Sequence, residues 1–165
     1  MKALGARLTF VLSLILLVGC DHGTKYVAKA GLQGHHPHTL IRGVLDLQYV
    51  EHTDVAFDLL RWIPEGARGP ILIFAGAAGL VALAAFLLRR PPRSRAGQLA
   101  LLLVTAGALG NYLDRIVRGY VVDFIHLHHW PVFNVADSCV TIGAILLGLT
   151  ALRGPRATTA RPAPG

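Results

Sequence analysis

The sequence predicts a mainly α-helical membrane protein with four transmembrane helices. Of its 165 residues, 53% are hydrophobic and only 15% are charged, whereas an average soluble domain has about 25% charged residues. The mean hydropathy is positive. In addition, four separate stretches are apolar over roughly the 20 residues that a helix needs to cross the hydrocarbon core.

The four predicted helices are separated by more polar connections. They are Leu8–Cys20 with an extension to about Ala30, Ile71–Leu88, Leu99–Leu109 with an extension to about Ile116, and Val135–Leu152. Val44–Val50 alternates apolar and polar residues and predicts a short strand, while Asp54–Trp62 is amphipathic and predicts a helix at the membrane interface. We expect residues 1–153 to form one domain, 31–68 to form an outer cradle, and 154–165 to be a disordered cytoplasmic tail.

The distribution of basic residues indicates how the helices are oriented. Arginine and lysine lie before the first helix, between the second and third, and after the fourth, and these three segments contain no acidic residue. Because basic loops remain on the cytoplasmic side, we expect both termini in the cytoplasm and residues 31–68 and 117–133 on the outer side. The net charge of +7 then reflects topology and anionic lipid headgroups, and we expect no nucleic-acid partner.

The two cysteines do not indicate a disulfide framework, because Cys20 and Cys139 both fall within predicted helices. The N-terminal segment has a basic start and ends in LVGC at Cys20, which is also typical of a lipoprotein signal peptide. Apolar residues resume after Lys25 and three further spans follow. We therefore favour an ordinary membrane helix over a cleaved leader.

Strongly polar side chains collect at one depth, the outer end of the helices. They are Asp21 and Lys25 on the first helix, Asn111, Asp114 and Arg115 on the third, Asp123 in the connection that follows, and Asn134 and Asp137 at the start of the fourth. Acids at membrane depth are costly and therefore indicate function. Asp123 and Asp137 are the candidate catalytic pair, since two carboxylates that share a proton can activate water.

Structural alternatives remain open for the first and third helices. Asp21 and Lys25 are four residues apart on one helical face and can pair. Asp114 and Arg115 can likewise neutralise each other near the interface. For both pairs we favour an ion pair over catalysis.

The other polar side chains of this group also have structural alternatives. Asn134 can cap the fourth helix, and Asp137 can favour the positive end of that helix. Asp123 can be a solvated loop acid. Spacing alone therefore leaves the catalytic pair as one of several interpretations.

Histidines raise the alternative of a metal site. They are His126, His128 and His129, with His35, His36 and His38 earlier in the chain. The HLHH spacing matches no zinc pattern and no thiolate accompanies it, which favours an exposed or interfacial loop and no metal. We also find no serine or cysteine with a base partner, so nucleophilic catalysis is not expected.

At these residues the chain resembles the lipoprotein signal peptidases, the bacterial signal peptidase II family. Two segments resemble the most distinctive motifs of that family: GALGNYLDRIVRGYVVDFI at 107–125 and FNVADSCVTIGAILL at 133–147. A third, DHGTK at 21–25, is similar to its first-helix signature. The similarity covers nearly the whole chain except the tail, and the order and topology agree.

The resemblance implies an intramembrane aspartyl endopeptidase of the bacterial cytoplasmic (inner) membrane. Asp123 and Asp137 would be its catalytic dyad, one acting as a base toward water while the other, protonated, polarises the scissile carbonyl. The substrate would be a prolipoprotein whose cysteine carries diacylglycerol, cleaved immediately before that cysteine. No metal or organic cofactor is implied, and a monomer is sufficient for a single site.

The resemblance also assigns roles to the remaining polar residues. It places Asn111, Arg115 and Asn134 at the substrate pocket, and Asp21, Lys25 and Asp114 as structural support. The segment EHTDVAF departs from the family motif Asn-x-Gly-x-x-Phe. His52 stands at the asparagine position and Asp54 at the glycine position, while Phe57 is retained.

This departure supports the main alternative function, a non-catalytic or substrate-restricted paralogue that binds lipoproteins. The loss of glycine removes backbone freedom, and Asp54 adds a charge near the expected pocket. A third interpretation, a small transporter with a proton relay, predicts polar groups across the membrane depth. The inner halves of the four predicted helices are instead apolar.

Overall fold

The computed structural model describes residues 2–53, 62–89, 92 and 94–152. Its elements are α1 (Lys2–Leu32), β1 (His38–Ile41), β2 (Leu45–His52), α2 (Glu65–Arg89), α3 (Arg95–Arg118), β3 (Val121–Leu127) and α4 (Val135–Leu152). For these residues the prediction of four helices with a small sheet is confirmed. The predicted interfacial helix at Asp54–Trp62 lies outside the described residues except for Trp62, and so does the tail at 154–165.

Each helix of the described chain is long and apolar enough to cross a membrane. The candidate spans are Leu4–Leu32, Gly66–Phe86, Arg95–Arg118 and Val135–Leu152. Large apolar side chains such as Leu12, Ile15, Phe74 and Ile145 are exposed on these helices. Contiguous apolar surface of this kind is unfavourable in water and is accommodated by hydrocarbon. The chain is therefore a multi-pass membrane protein.

Helix α3 contacts α1, α2 and α4 and lies between them. It begins at Ser94, whose hydroxyl accepts the Gly97 N–H at 3.0 Å, and it ends at Gly119, with φ of 79°. The Gly119 N–H donates to the Arg115 carbonyl at 3.1 Å. Glycine adopts this left-handed conformation without a Cβ clash, so the chain turns here from α3 into β3 and brings Asp123 beside the helix end.

The three strands found in the described residues form an antiparallel sheet in the order β1-β2-β3. In the pairing of β2 with β3, Val50 lies opposite Asp123 and His52 lies opposite Val121. The sheet contacts α1. Asp123 lies in the connection between α3 and α4, as expected, and within this connection it belongs to strand β3. Its partner strand β2 is separated from it in the chain by α2 and α3, so no local sequence pattern reveals the pairing.

Small residues allow α3 and α4 to approach closely. A Cβ atom added at Gly107 would lie 2.2 Å from the backbone oxygen of Ala136, and one added at Gly143 would lie 2.7 Å from that of Ala100. Small residues at helix crossings are typical of membrane helix packing. Because Ala136 immediately precedes Asp137, this crossing also fixes the first turn of α4.

We expect Gly107→Ala to lower the free energy of unfolding by about 1–3 kcal/mol. The added methyl group meets a backbone oxygen, which cannot rotate away as a side chain would. The matched control is Gly148→Ala on α4, where an added Cβ has no neighbour within 4 Å. Equilibrium unfolding in mixtures of mild detergent and SDS measures both variants, and equal stabilities would contradict the close crossing.

Candidate active site

Asn134 and Asp137 form a reciprocal cap at the first turn of α4. The Asn134 Oδ1 accepts the Asp137 N–H at 2.9 Å, and the Asp137 Oδ2 accepts the Asn134 N–H at 3.2 Å. This arrangement is a capping box, which satisfies two backbone donors at the start of a helix. The predicted capping role of Asn134 is therefore confirmed, and the same contacts hold the Asp137 carboxylate in place.

Asn134 also joins the two acidic residues that the sequence singled out. Its Nδ2 donates to the Asp123 Oδ1 at 2.6 Å and lies 3.3 Å from the Val122 carbonyl. Asp123 is 6% exposed and Asn134 is fully buried, so the alternative of a solvated loop acid at Asp123 was wrong. The structure brings Asp123 and Asp137 together around one asparagine, the first at its side chain and the second at its backbone.

Asn111 on α3 connects this pair to a buried cation. Its Nδ2 donates to the Asp137 Oδ1 at 2.7 Å, while its Oδ1 accepts from the Lys25 Nζ at 2.9 Å and from the Asn134 Nδ2 at 3.1 Å. Lysine can only donate hydrogen bonds. Lys25 therefore determines which way the Asn111 amide faces, and an N–H of that amide is left for Asp137.

Lys25 is completely buried between two buried aspartates. Its Nζ lies 2.7 Å from the Asp21 Oδ2 and 2.7 Å from the Asp114 Oδ2. The predicted pairing of Asp21 with Lys25 is therefore confirmed. The Asp21 Oδ1 also accepts the Ala136 N–H of α4 at 2.9 Å, so this ion cluster ties α1 and α3 to the helix turn that carries Asp137.

The predicted pairing of Asp114 with Arg115 was wrong. Asp114 binds Lys25 and also accepts from the Arg118 Nη1 at 2.9 Å. Arg118 was not among the predicted site residues, although its spacing of four from Asp114 on a helix is a local signal for such a pair. Adjacent helical residues such as Asp114 and Arg115 point in different directions, which explains why the other pairing does not form.

Arg115 instead extends along α3 toward the aspartate pair. Its Nη1 donates to the Asn111 carbonyl at 3.1 Å, and Asp137 and Asp123 lie close enough to interact with its charge. Its Nε is buried and has no hydrogen-bond partner among the described residues. A buried donor without a partner is costly, so Arg115 offers a donor that a bound molecule can satisfy.

His52, the last residue of β2, contacts Asp123 directly. Its Nδ1 and the Asp123 Oδ2 form a hydrogen bond, and the histidine side chain is 44% exposed against 8% for the aspartate. His52 therefore lies at the more open side of the pair. Asp54 and Phe57, the other two residues singled out in this segment, lie outside the described residues.

An apolar cavity of about 370 Å³ lies between the C-terminal part of α1 and the sheet. Its lining residues are Gly23, Thr24, Val27, Ala28, Gly31, Leu32, Leu47 and Phe124. Neither aspartate lines it, although Phe124 follows Asp123 in β3. The cavity is therefore a neighbour of the polar site and not part of it.

Two histidines of the sheet region, His126 and His128, lie beside Asp46. The His126 Nδ1 lies 3.7 Å and the His128 Nε2 lies 3.4 Å from the Asp46 Oδ2. A hydrogen bond from the Thr39 side chain, together with these imidazoles, holds the pKa of Asp46 below its ordinary value. In the part of the chain that the structure describes, no three histidine, cysteine or acidic side chains are arranged to hold a metal ion.

Comparison with known proteins agrees with this architecture. The sequence profile of the family described as Signal peptidase (SPase) II matches residues 13–153. A lipoprotein signal peptidase of Moorella thermoacetica is 36% identical over 140 residues, which is 84% of this chain and 89% of the relative. One of Symbiobacterium thermophilum is 40% identical over 148 residues, which is 86% of this chain and 92% of the relative.

Solved structures show the same fold. A bacterial membrane enzyme determined by the in meso method at 2.3 Å resolution superposes with a TM-score of 0.80 at 28% identity, covering 94% of each chain. A second, at 1.9 Å resolution, gives a TM-score of 0.78 at 28% identity and covers 89% of this chain and 94% of the other. With a family match over most of its length, the chain belongs to the signal peptidase II family.

Proposed function

We propose that this protein is an aspartyl endopeptidase that removes the signal peptide from diacylglyceryl-modified prolipoproteins, cutting immediately before the lipidated cysteine. Membership of the signal peptidase II family makes it a protease that processes prolipoproteins. The observation that supports the aspartyl mechanism is the shared asparagine. Asn134 binds Asp123 through its side chain and Asp137 through its backbone, which brings both carboxyl groups to one residue, where they can act on the same water molecule.

In the proposed reaction one carboxylate removes a proton from a water molecule, whose oxygen attacks the scissile carbonyl carbon. The other carboxyl group donates its proton to the carbonyl oxygen. When the tetrahedral intermediate collapses, the C–N bond breaks and the first carboxyl group passes the proton taken from water to the departing cysteine amine. The second carboxylate takes its proton back from a hydroxyl group of the intermediate, so the pair returns to its starting state. The signal peptide leaves with a new carboxylate, so every atom of the water is accounted for and no cofactor takes part.

The surrounding polar groups support this chemistry. Asn111 donates a hydrogen bond to Asp137 and Asn134 donates one to Asp123, which holds both carboxyl groups in place. The buried Nε of Arg115 is a candidate donor to a substrate backbone carbonyl. The cluster of Lys25 with Asp21 and Asp114 holds the helices that carry these groups, and we assign it a structural role.

We further propose the orientation that the basic loops predict. Both termini then face the cytoplasm, and the aspartate pair lies at the outer boundary of the bacterial inner membrane. A lipidated substrate enters laterally from the outer leaflet, so its scissile bond arrives at that depth. One site on one chain is sufficient for the reaction, and a monomer is the proposed state.

The apolar cavity beside β3 supports a lipidated substrate, and we assign it to one acyl chain of the diacylglyceryl group. Glycines of α1 line it, and an added Cβ at Gly23 or Gly31 meets no atom within 4 Å. We expect Gly23→Leu or Gly31→Leu to fill the cavity and raise KM about tenfold with little change in kcat. Gly19→Leu is the matched control, since Gly19 lies on the same helix and outside the lining. Equal KM values for all three variants would contradict this assignment.

The test of the proposed function is cleavage by the purified protein in detergent. The substrate is a prolipoprotein carrying diacylglycerol on its cysteine, and the control is the same prolipoprotein without the lipid. Mass spectrometry should find a free signal peptide and a product that begins at the modified cysteine, from the lipidated substrate alone. No product from a folded protein would favour the alternative, a paralogue that binds lipoproteins without cutting them. Equal cleavage of both substrates would refute the lipid requirement.

A further inference from the structure

His52 and Asp123 are diagonal neighbours on one face of the sheet. Val50 pairs with Asp123 and His52 pairs with Val121 across antiparallel strands, and residues two apart in a strand share a face. Diagonal neighbours of this kind are within reach of each other's side chains. The backbone register of the sheet therefore places the imidazole against the carboxylate.

This contact makes the two carboxylates chemically unequal. The Asp137 oxygens accept from the Asn111 side chain and the Asn134 backbone, and neither of these donors titrates. Asp123 accepts from the Asn134 amide at one oxygen and contacts the His52 imidazole at the other. An imidazole gains a positive charge as the pH falls through about 6.5, so one member of the pair has a neighbour whose charge depends on pH.

We propose that His52 is a positioning residue that keeps Asp123 ionised and thereby leaves the shared proton on Asp137. The proposal rests on the proposed function and assigns the roles within it: Asp123 is the base toward water, and Asp137 is the acid toward the carbonyl oxygen. An imidazole with its proton on Nδ1 donates to the carboxylate whether it is neutral or cationic. In the cationic form it also adds an opposite charge, which favours the ionised carboxylate more strongly.

Among the described residues, two other charged groups act on the same carboxylates, and neither is an imidazole. They are Arg115 on α3, which interacts with both carboxylates, and Lys25 on α1, which interacts with Asp137. Glu51, the neighbour of His52 on β2, accepts a hydrogen bond from the Tyr49 hydroxyl. Arginine stays charged at every accessible pH. In the described part of the chain, the pH-dependent asymmetry of the pair therefore comes from His52.

We therefore expect the wild type to remain active at lower pH than a variant that lacks the His52 imidazole. Activity is lost on the acidic side when the base member of the pair becomes protonated. In the wild type, a cationic imidazole beside Asp123 opposes that protonation. In His52→Asn the amide still donates a hydrogen bond and cannot gain charge, so the acidic limb of the profile should move to higher pH.

The first experiment compares the pH dependence of kcat/KM for wild type, His52→Asn and His52→Ala. We expect the acidic limb of His52→Asn to shift upward by about 0.5–1 pH unit, less than for a buried pair because the histidine is partly solvent-screened. His52→Ala should show the same shift with a lower maximum, since it also loses the donor. A merely structural role would lower the maximum and leave the limb in place, and superimposable profiles for wild type and His52→Asn would overturn the proposal.

A second measurement does not depend on cleavage. The histidine signals of the labelled protein in detergent micelles are titrated by NMR, with His52 identified by its absence in His52→Asn. Asp123→Asn should lower the titration midpoint of His52 by about one pH unit, because the imidazolium loses its opposite charge. An unchanged midpoint would overturn the pairing of His52 with Asp123, even if the wild-type protein cleaves its substrate. If the midpoint shifts but the wild-type protein does not cleave the lipidated substrate, the pairing of His52 with Asp123 stands and the proposed function is refuted.

Discussion

Replacing Asp137 by asparagine is expected to lower kcat/KM for the lipidated prolipoprotein by about 10³- to 10⁴-fold. The amide has the size of the carboxyl group but can neither give up nor receive the shared proton. Its oxygen can still accept from the Asn111 Nδ2. Its nitrogen would face the Asn134 N–H, which now binds the Asp137 Oδ2, so one capping bond is lost at a cost of about 1 kcal/mol.

Asp123→Asn is expected to reduce kcat/KM to a similar extent. Since the two groups act as a unit, the double variant should be hardly less active than either single one. Asp46→Asn is the matched control, because Asp46 is also an aspartate of the sheet and its neighbours are His126 and His128. We expect that variant to retain its activity. Thermal unfolding in detergent checks that every variant is folded, and activity that survives in Asp123→Asn or Asp137→Asn would refute the dyad.

Helix positions were largely predictable from the sequence, because apolar run length is a local property. The fourth helix was predicted as Val135–Leu152 and has those bounds, since the Asn134 cap marks its start in the sequence itself. The first helix is longer than its apolar run. Polar residues from Asp21 to Lys25 do not end it, because they are neutralised by pairing with each other and with α3.

Strand β3 was not predictable in the same way. Val121–Leu127 contains two apolar pairs around Asp123 and lacks a regular alternation, and the strand exists because β2 pairs with it across two intervening helices. Long-range pairing of this kind leaves no local signature. The contact of His52 with Asp123 depends on that pairing and was therefore also invisible from the sequence, even though His52 itself had been singled out.

Removing the buried cation should cost the fold more than any other single change proposed for this protein. Lys25→Met leaves two buried carboxylates, Asp21 and Asp114, without the ammonium group 2.7 Å from each. Breaking a buried ion pair by removing one partner costs about 3–5 kcal/mol. Lys29→Met is the matched control one turn later on α1, because Lys29 donates one hydrogen bond to the Tyr120 hydroxyl at 3.0 Å, and its loss should cost about 1 kcal/mol.

A second change separates the electrostatic cause from lost packing. Asn at position 21 can still accept the Ala136 N–H through its oxygen, as Asp21 does, and it carries no charge. Adding Asp21→Asn to Lys25→Met should therefore recover at least half of the lost stability, since one of the two buried charges is gone and the other, on Asp114, keeps its ion pair with Arg118. Equilibrium unfolding in mixtures of mild detergent and SDS gives the values. A double variant no more stable than Lys25→Met would mean that buried charge is not the cause.

The double variant should regain stability without regaining activity, because Lys25 has two separate roles. Lys25 donates to the Asn111 Oδ1 and so turns the Asn111 N–H toward Asp137. Without the ammonium group the Asn111 Oδ1 keeps only the hydrogen bond from the Asn134 Nδ2 at 3.1 Å, so the amide that donates to Asp137 is held less firmly. We therefore expect the double variant to be folded and to keep a lower kcat than the wild type at every pH. Full activity in that variant would show that the cluster holds the helices and has no part in orienting the catalytic pair.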